Sequence, residues 1–135
     1  VLNCPDSHEK YKFYVFGLTD IKNEMIGWVQ YMLDENTGKL RKIIRLEKRA
    51  LVFEVSYAKL FSQNLRGVAV NGLKNTMEIL RKMDNNGSRD LYITGYTDPK
   101  NIASEFVLGS NRFTKLESKI VYDNELCNVW VRKIS

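Results

Sequence analysis

The chain has 135 residues, a formal net charge of +5 and ordinary shares of hydrophobic and charged side chains, which indicates one globular domain with a core of its own. No run approaches the ~20 apolar residues that cross a bilayer, and the first residues show no signal peptide, as expected of a mature or trimmed form. The mild positive charge fits an anionic partner, but no aromatic residues interleave with the basic run at 39–49, so nucleic acid is not expected.

The first third of the chain predicts mainly strands. Residues 10–17 alternate aromatic and polar side chains and end at a glycine, which predicts a strand. The stretch 19–34 is ambiguous, because a helical stripe of apolar residues overlaps with strand-forming residues. The DENTG sequence at 34–38 is a strong turn signal. We therefore expect a hairpin with strands at about 25–33 and 39–46.

From residue 49 onward the pattern alternates between strand and helix. A strand at 49–57 precedes a helix at 67–83, whose apolar residues recur at steps of three and four. A buried strand then ends in the GYTD turn at 95–98. A second helix is predicted at 103–122, and a last strand at 124–135. This order predicts an α+β fold with a mixed sheet and two helices on one face.

The two cysteines leave several alternatives open. Cys4 and Cys127 are too few and too far apart for a zinc site, and His8 is the single histidine, so no metal is expected. The two thiols either form a disulfide between the N-terminal segment and the last strand, in an oxidising compartment, or stay free. Cys4 is also a weak candidate for lipidation.

Signatures of catalysis are scarce, and a binding pair remains. There is no glycine-rich phosphate loop and no GxSxG elbow, so we expect no enzyme and no cofactor. Asp98 ends a strand, and Arg112 follows in FVLGSNRF. A carboxylate and a guanidinium that flank one cleft can hold an amino-acid head group. Alternatively, the two side chains pair with each other, or Asp98 caps the next helix.

The stretch from about 49 to 122 resembles the OmpA-like peptidoglycan-binding domain, which also occurs in peptidoglycan-associated lipoproteins and flagellar stator subunits. The matching segments are LVFEVSYAKLF, VAVNGLKNTMEIL, LYITGYTD and EFVLGSNRFTKL. The resemblance implies an OmpA-like β-α-β-α-β sandwich made by residues 49–135. Residues 1–48 are then an N-terminal extension, with a strand and a β-hairpin, that packs on this domain.

The resemblance also implies a set of site residues. In the family, the Asp and the Arg grip the diaminopimelate of the peptidoglycan stem peptide. Asp98 would accordingly take the ammonium group of this ligand, and Arg112 its carboxylate. Gly95 would let the backbone approach closely, Thr97 would shape the turn, and Leu108 occupies the family's Leu position.

The sequence therefore predicts a non-catalytic domain that binds the peptidoglycan stem peptide in the periplasm, near the outer membrane. It would anchor an envelope protein or a secretion complex to the wall, with no nucleic-acid partner and membrane contact only through a lipid anchor. The alternative is an OmpA-like structural subunit that has lost peptidoglycan binding and acts through protein–protein contacts, as in an accessory lipoprotein of the type IVB secretion apparatus. Glu105 and Phe113 depart from the family pattern and favour this alternative.

Overall fold

The computed structural model describes residues 2–4, 13–59, 66–83 and 89–134. Eight strands and three helices follow one another in the described part of the chain. In chain order they are β1 Leu2–Cys4, β2 Phe13–Thr19, β3 Met25–Leu33, α1 Thr37–Leu40, β4 Leu51–Lys59, α2 Arg66–Met83, β5 Leu91–Thr97, α3 Ile102–Ser110, β6 Thr114–Lys115, β7 Ile120–Tyr122 and β8 Glu125–Lys133.

The strands form one mixed sheet in the order β1-β2-β3-β4-β5-β8-β6, and β7 pairs with β8 beside it. All neighbours are antiparallel except β4 and β5, which run parallel. The parallel step follows from the connection, because the crossover through α2 returns the chain to the same end of the sheet. The prediction of an α+β fold with a mixed sheet is confirmed at this level.

The helices α2 and α3 cover one face of the sheet. Buried residues of α2, such as Leu73, Met77 and Leu80, pack with Phe53 of β4 and Leu108 of α3 in the larger of two core clusters. On the other side of α2, charged side chains face water, so the helix has the amphipathic stripe that the sequence predicted at 67–83.

The opposite face is covered without a long helix. Its cluster contains Leu40, Val52, Ile120, Val129 and Val131. The segment between β3 and β4, which includes α1, contributes Leu40 and three partly buried neighbours to this cluster. Both faces of the sheet are therefore shielded from water. This suits a strand such as β5, which has apolar side chains on both faces.

The predicted hairpin is only half correct. The strand at 25–33 is confirmed as β3, but residues 39–46 form the end of α1 and a turn. Strand β3 instead forms its hairpin with the preceding strand, β2. Asp20 Oδ1 stabilises the loop between them by accepting from the backbone N–H groups of Lys22 and Glu24. The basic run at 39–49 was misleading because its apolar residues pack on one face of the sheet and do not form a strand.

The second predicted helix ends much earlier than residue 122. Helix α3 stops at Ser110, and Arg112 follows with a φ of 65°. The Phe113 N–H donates to the Leu108 carbonyl, and the Arg112 N–H donates to the Gly109 carbonyl, which is the hydrogen-bond pattern of a Schellman ending. Buried Asn111 adds a bond from Nδ2 to the Val107 carbonyl. The remaining predicted helix is replaced by β6 and β7.

The two predicted units share one sheet. Tyr14, Phe16, Val29 and Tyr31 of β2 and β3 belong to the same core cluster as β4. The boundary at residue 48 stays a prediction about domain organisation.

Candidate functional site

The parallel strands β4 and β5 diverge in the middle of the sheet. They pair for only four positions, from Leu51 opposite Leu91 to Glu54 opposite Thr94. Beyond Glu54, the outer edge of β4 stays paired with β3, and beyond Thr94 the outer edge of β5 stays paired with β8. The facing edges of 55–59 and 95–97 therefore have no strand partner among the described residues. We call this opening the fork.

An apolar cavity of about 500 Å³ lies on the helix side of the fork. Its walls come from the end of β4, the first turns of α2 and the helix α3: Tyr57, Ala58, Ala69, Ile102, Ala103, Ser104, Phe106 and Val107. Two of these side chains are unusually exposed for their size, Ile102 at 78% and Phe106 at 60%. We call it the helix-side cavity.

The helix α2 begins beside this cavity. Its first turn contains Gly67 and Ala69 and carries no acidic residue. The first N–H groups of an 18-residue helix have no partner within the helix, and they give its start a partial positive charge. An anionic group such as a phosphate is favoured at such a position.

A carboxylate and tyrosine cluster lies at the fork on the opposite face. The Tyr122 hydroxyl donates to Glu54 Oε2 at 2.7 Å. The Tyr96 hydroxyl and Thr94 Oγ1 both donate to Asp34 Oδ2, each at 2.6 Å. The rings of Tyr96 and Tyr122 stack at 4.8 Å between centroids. The cluster thus holds Glu54, the last residue of β4 that pairs with β5, in a fixed position.

The charge state of Glu54 is displaced toward the neutral acid. Burial raises the pKa of its carboxyl, and the nearby charges of Asp34 and Glu35 raise it further, against a hydrogen bond from Tyr122 that lowers it. Burial and the neighbouring carboxylates also raise the pKa values of Tyr96 and Tyr122, so both hydroxyls stay protonated donors. A carboxylate whose pKa is raised is a stronger proton acceptor than an ordinary carboxylate.

A second cavity, of about 570 Å³, opens beside Glu54 on this face. We call it the sheet-side cavity. Its lining combines three carboxylates, one lysine, two amides and apolar side chains: Met32, Leu33, Glu35, Asn36, Lys39, Glu54, Val121, Tyr122, Asp123 and Asn124. With more carboxylates than cations, the lining favours a positively charged occupant.

Glu105 anchors α3 to the sheet. Its Oε2 accepts from Thr97 Oγ1 at 2.9 Å, from Asn128 Nδ2 at 2.6 Å and from Trp130 Nε1 at 3.2 Å. Burial raises the pKa of the Glu105 carboxyl, but these bonds and the charge of Lys115 outweigh burial and lower it overall. The side chain expected to disturb a ligand cleft instead holds the helix in place.

The structure keeps the expected ligand pair apart. Asp98 is exposed, and its Oδ1 accepts from the Lys100 N–H within the turn that leads into α3. The helix itself is capped by the Asn101 side chain. Arg112 lies past the other end of α3, a helix of nine residues and hence about 13 Å long. Arg112 therefore lies in the turn that ends α3 and not within the helix as predicted.

The other three predicted site residues have packing roles. Thr97 is buried and bonded to Glu105 and Trp130. Leu108 is buried in the core, 2.8 Å from where a Cβ on Gly95 would lie, so Gly95 makes room for Leu108. The close backbone approach predicted at Gly95 exists, but toward a helix.

Of the two alternatives left open for the cysteines, the structure has the free thiol at Cys127 and not the disulfide. Cys127 is a buried free thiol, and burial raises its pKa. Cys4 lies in β1, and four strands separate β1 from β8. At about 4.8 Å per strand, the two backbones are far beyond the reach of a disulfide.

Sequence reasoning missed Glu54 and Tyr122 as functional candidates. Glu54 did carry a signal, since it is a carboxylate in the otherwise apolar stretch LVFEV. Tyr122 had none, because its partner lies 68 residues away and the surrounding segment was predicted to be helical.

The chain resembles solved acetyltransferase structures in its fold. It matches the ribosomal-protein-S5-alanine acetyltransferase of Vibrio fischeri (TM-score 0.63, 21% identity, 90% of this chain, 61% of that one). It also matches the aminoglycoside acetyltransferase AAC(6')-Ib in complex with coenzyme A and kanamycin (0.64, 13%, 93%, 67%). A third match is a GNAT-family acetyltransferase of Bacillus anthracis (0.59, 15%, 89%, 64%). No family model and no curated protein matches the sequence.

These matches contradict the OmpA-like resemblance. The chain has the fold of acetyltransferases, and it spans about two thirds or less of the length of the structures named above. The OmpA-like identification, the non-catalytic role, the peptidoglycan partner and the secretion-complex partners are therefore wrong. The GYTD strand was misleading because it is a buried strand with a turn, a local pattern that unrelated sheets share. The periplasmic location stays a prediction.

Two further features bear on cofactors and membranes. Within the described ranges, no group of three or more metal-binding side chains comes together. No helix in those ranges is long and apolar enough to cross a membrane.

Proposed function

We propose that the chain is an N-acetyltransferase that transfers the acetyl group of acetyl-coenzyme A to an amine. The observation that carries this proposal is the fork between β4 and β5, with an apolar cavity on one face and Glu54 on the other. The fold shared with acetyltransferases, one of them solved with coenzyme A, supports it.

The chemical groups of the fork and of the helix-side cavity suit the donor. The unpaired edges of β4 and β5 offer N–H and C=O groups to the amides of its extended arm, as an added strand would use them. Tyr57, Ala58, Ala69 and Phe106 would line the arm, and the start of α2 would face the phosphates. A coenzyme A thioester supplies an acyl group that an amine can attack.

Glu54 is the candidate general base. An amine acceptor arrives largely as an ammonium ion near neutral pH, and it must lose a proton before it can attack. The Glu54 carboxylate, held by the Tyr122 hydroxyl at 2.7 Å, would accept that proton at Oε1 or Oε2. The raised pKa of Glu54 brings its proton affinity closer to working pH, which strengthens it as a base.

The sheet-side cavity would hold the acceptor. Its size of about 570 Å³ suits a small molecule or the end of a chain. Glu35 and Asp123 add negative charge to the wall that Glu54 begins. A cationic amine is therefore the acceptor class that this lining favours.

A kinetic comparison of wild type, Glu54→Gln and Glu35→Gln tests the function. Free coenzyme A would be measured as acetyl-coenzyme A is mixed with cationic amines such as spermidine. We expect turnover by the wild type, and a fall in kcat by about 100-fold or more in Glu54→Gln, because a general base contributes at least that factor. The KM for acetyl-coenzyme A should stay the same.

Glu35→Gln is the matched control, because it removes an equal charge from the same cavity without removing the base. It should raise the KM for the cationic amine and leave kcat within a small factor. Absence of any turnover across a panel of amines, together with no binding of acetyl-coenzyme A in calorimetry, would reject the proposed function.

A further inference from the structure

Tyr57 connects the two walls of the helix-side cavity. Its hydroxyl donates to the backbone carbonyl of Ser104 at 3.2 Å. Tyr57 belongs to the part of β4 that no longer pairs with β5, and Ser104 lies in the first half of α3. Both residues line the cavity, so this hydrogen bond joins the strand wall to the helix wall.

Among the described residues, this is the one side-chain hydrogen bond between β4 and α3. On its other side, α3 is held to β5 and β8 through Glu105. The exposed Ile102 and Phe106 show that the first half of α3 is not sealed against the sheet by packing. The distance between α3 and β4 therefore depends strongly on Tyr57.

The Tyr57 hydroxyl stays protonated across ordinary pH, and its hydrogen bond to Ser104 is weak enough to open. Burial raises the pKa of Tyr57, so its hydroxyl remains a donor. The length of 3.2 Å exceeds the usual range for a hydroxyl donor, and the Ser104 carbonyl lies in a helix, where it also accepts from a backbone N–H. The free energy needed to open this cleft is therefore close to that of one neutral hydrogen bond.

We propose that Tyr57 is a gate residue of the donor cleft: its bond to Ser104 keeps the cleft narrow, and the donor binds the form in which this bond is open. The proposal rests on the proposed function for the identity of the donor. It adds a conformational step in which α3 and β4 separate before the arm of the donor occupies the fork.

The consequence for binding is quantitative. When only a fraction of molecules is competent to bind, the apparent dissociation constant rises by the inverse of that fraction. Removing one neutral hydrogen bond should raise the competent fraction, and with it the association rate constant for acetyl-coenzyme A, by about three- to tenfold. The dissociation rate constant should change by less than this.

Stopped-flow binding of acetyl-coenzyme A to wild type, Tyr57→Phe and Tyr92→Phe tests the gate. Tyr57→Phe keeps the ring and removes only the hydroxyl. Tyr92→Phe is the matched control, because it removes a hydroxyl from the other face of the sheet. We expect faster association in Tyr57→Phe alone. An unchanged or slower association in Tyr57→Phe would overturn the gate.

Hydrogen exchange of the ligand-free proteins separates this inference from the proposed function. Amides in the first half of α3 should exchange faster in Tyr57→Phe than in wild type and in Tyr92→Phe. If exchange changes as expected but no variant binds acetyl-coenzyme A, the proposed function fails and Tyr57 does not gate a donor. If acetyl-coenzyme A binds but neither exchange nor association changes, only the gate is overturned.

Discussion

Arg112 illustrates how one residue type can suggest a ligand contact and instead reflect a backbone requirement. Its φ of 65° places it in the left-handed region, which costs most side chains about 1 kcal/mol or more. The turn that ends α3 forces this conformation through two backbone hydrogen bonds. Arg112 was matched to a binding position through the family motif, four residues after Leu108, with the helix expected to continue past it.

We expect Arg112→Gly to stabilise the protein by about 1 kcal/mol, because glycine adopts this conformation without strain. Urea unfolding measures the change. Arg112→Ala is the control, because it removes the same charge and keeps the strain. Equal stability of the glycine and alanine variants would contradict this explanation.

The pH dependence of activity should report on Glu54. Because its pKa is raised in the folded state, the carboxylate form, which is the proposed base, is lost as pH falls through that raised value. Tyr122→Phe removes the bond that lowers the pKa, so the acid limb of the kcat/KM profile should move to higher pH. The limb would stay in place if another group were the base.

The free energy of unfolding should depend on the ionisation of Glu54 in the opposite direction to activity. A carboxyl whose pKa is raised by folding contributes stability below its unfolded pKa, and this contribution is lost as pH rises through the folded pKa. Glu54→Gln should therefore unfold at a higher urea concentration than the wild type at neutral pH, while losing activity. A destabilised variant would argue against burial as the cause of the shift.

At the scale of elements, α3 is held by a charged side chain where a hydrophobic contact is more common. Glu105 accepts three hydrogen bonds from β5 and β8. Glu105→Ala leaves buried donors of Asn128 and Trp130 without this acceptor, so we expect a loss of about 2 kcal/mol. Thermal or urea unfolding at neutral pH measures it.

The pH dependence of this loss is the check on its cause. The pKa of Glu105 is lowered by folding, so the carboxylate contributes stability above its unfolded pKa, and that contribution is lost as pH falls through the folded value. The gap between wild type and Glu105→Gln should narrow in acid. A gap that is constant with pH would point to packing alone.

Much of the element pattern was available from the sequence, and the site was not. The strand at 49–57, the helix at 67–83 and the buried strand that begins at Leu91 depend on local periodicity, and all three are present, although this last strand runs on through Thr97. The second helix was predicted to be too long, because periodicity does not show that it ends at Asn111, whose side chain donates to the Val107 carbonyl. The bond from Tyr122 to Glu54 joins residues far apart in the chain, which periodicity cannot reveal.

At the scale of the whole molecule, donor binding should appear as a gain in stability. A ligand that binds only the folded state at 100 times its dissociation constant adds about 2.7 kcal/mol. We therefore expect acetyl-coenzyme A to raise the melting temperature by several degrees. ATP at the same concentration is the control, since it carries phosphates but no arm to enter the fork, and an equal shift with ATP would indicate charge alone.

The fork also has a consequence for how the protein unfolds. On either side of it lie two antiparallel assemblies, β1 to β4 and β5 with β6 to β8, and the sheet joins them through four parallel residue pairs. Strands β1 to β4 pair in the order in which they follow one another in the chain, whereas the parallel join and the β5–β8 pairing both link segments far apart in the chain, which tend to pair late. The join is then a boundary between cooperative units. A bound donor would act as an additional strand that fastens them into one.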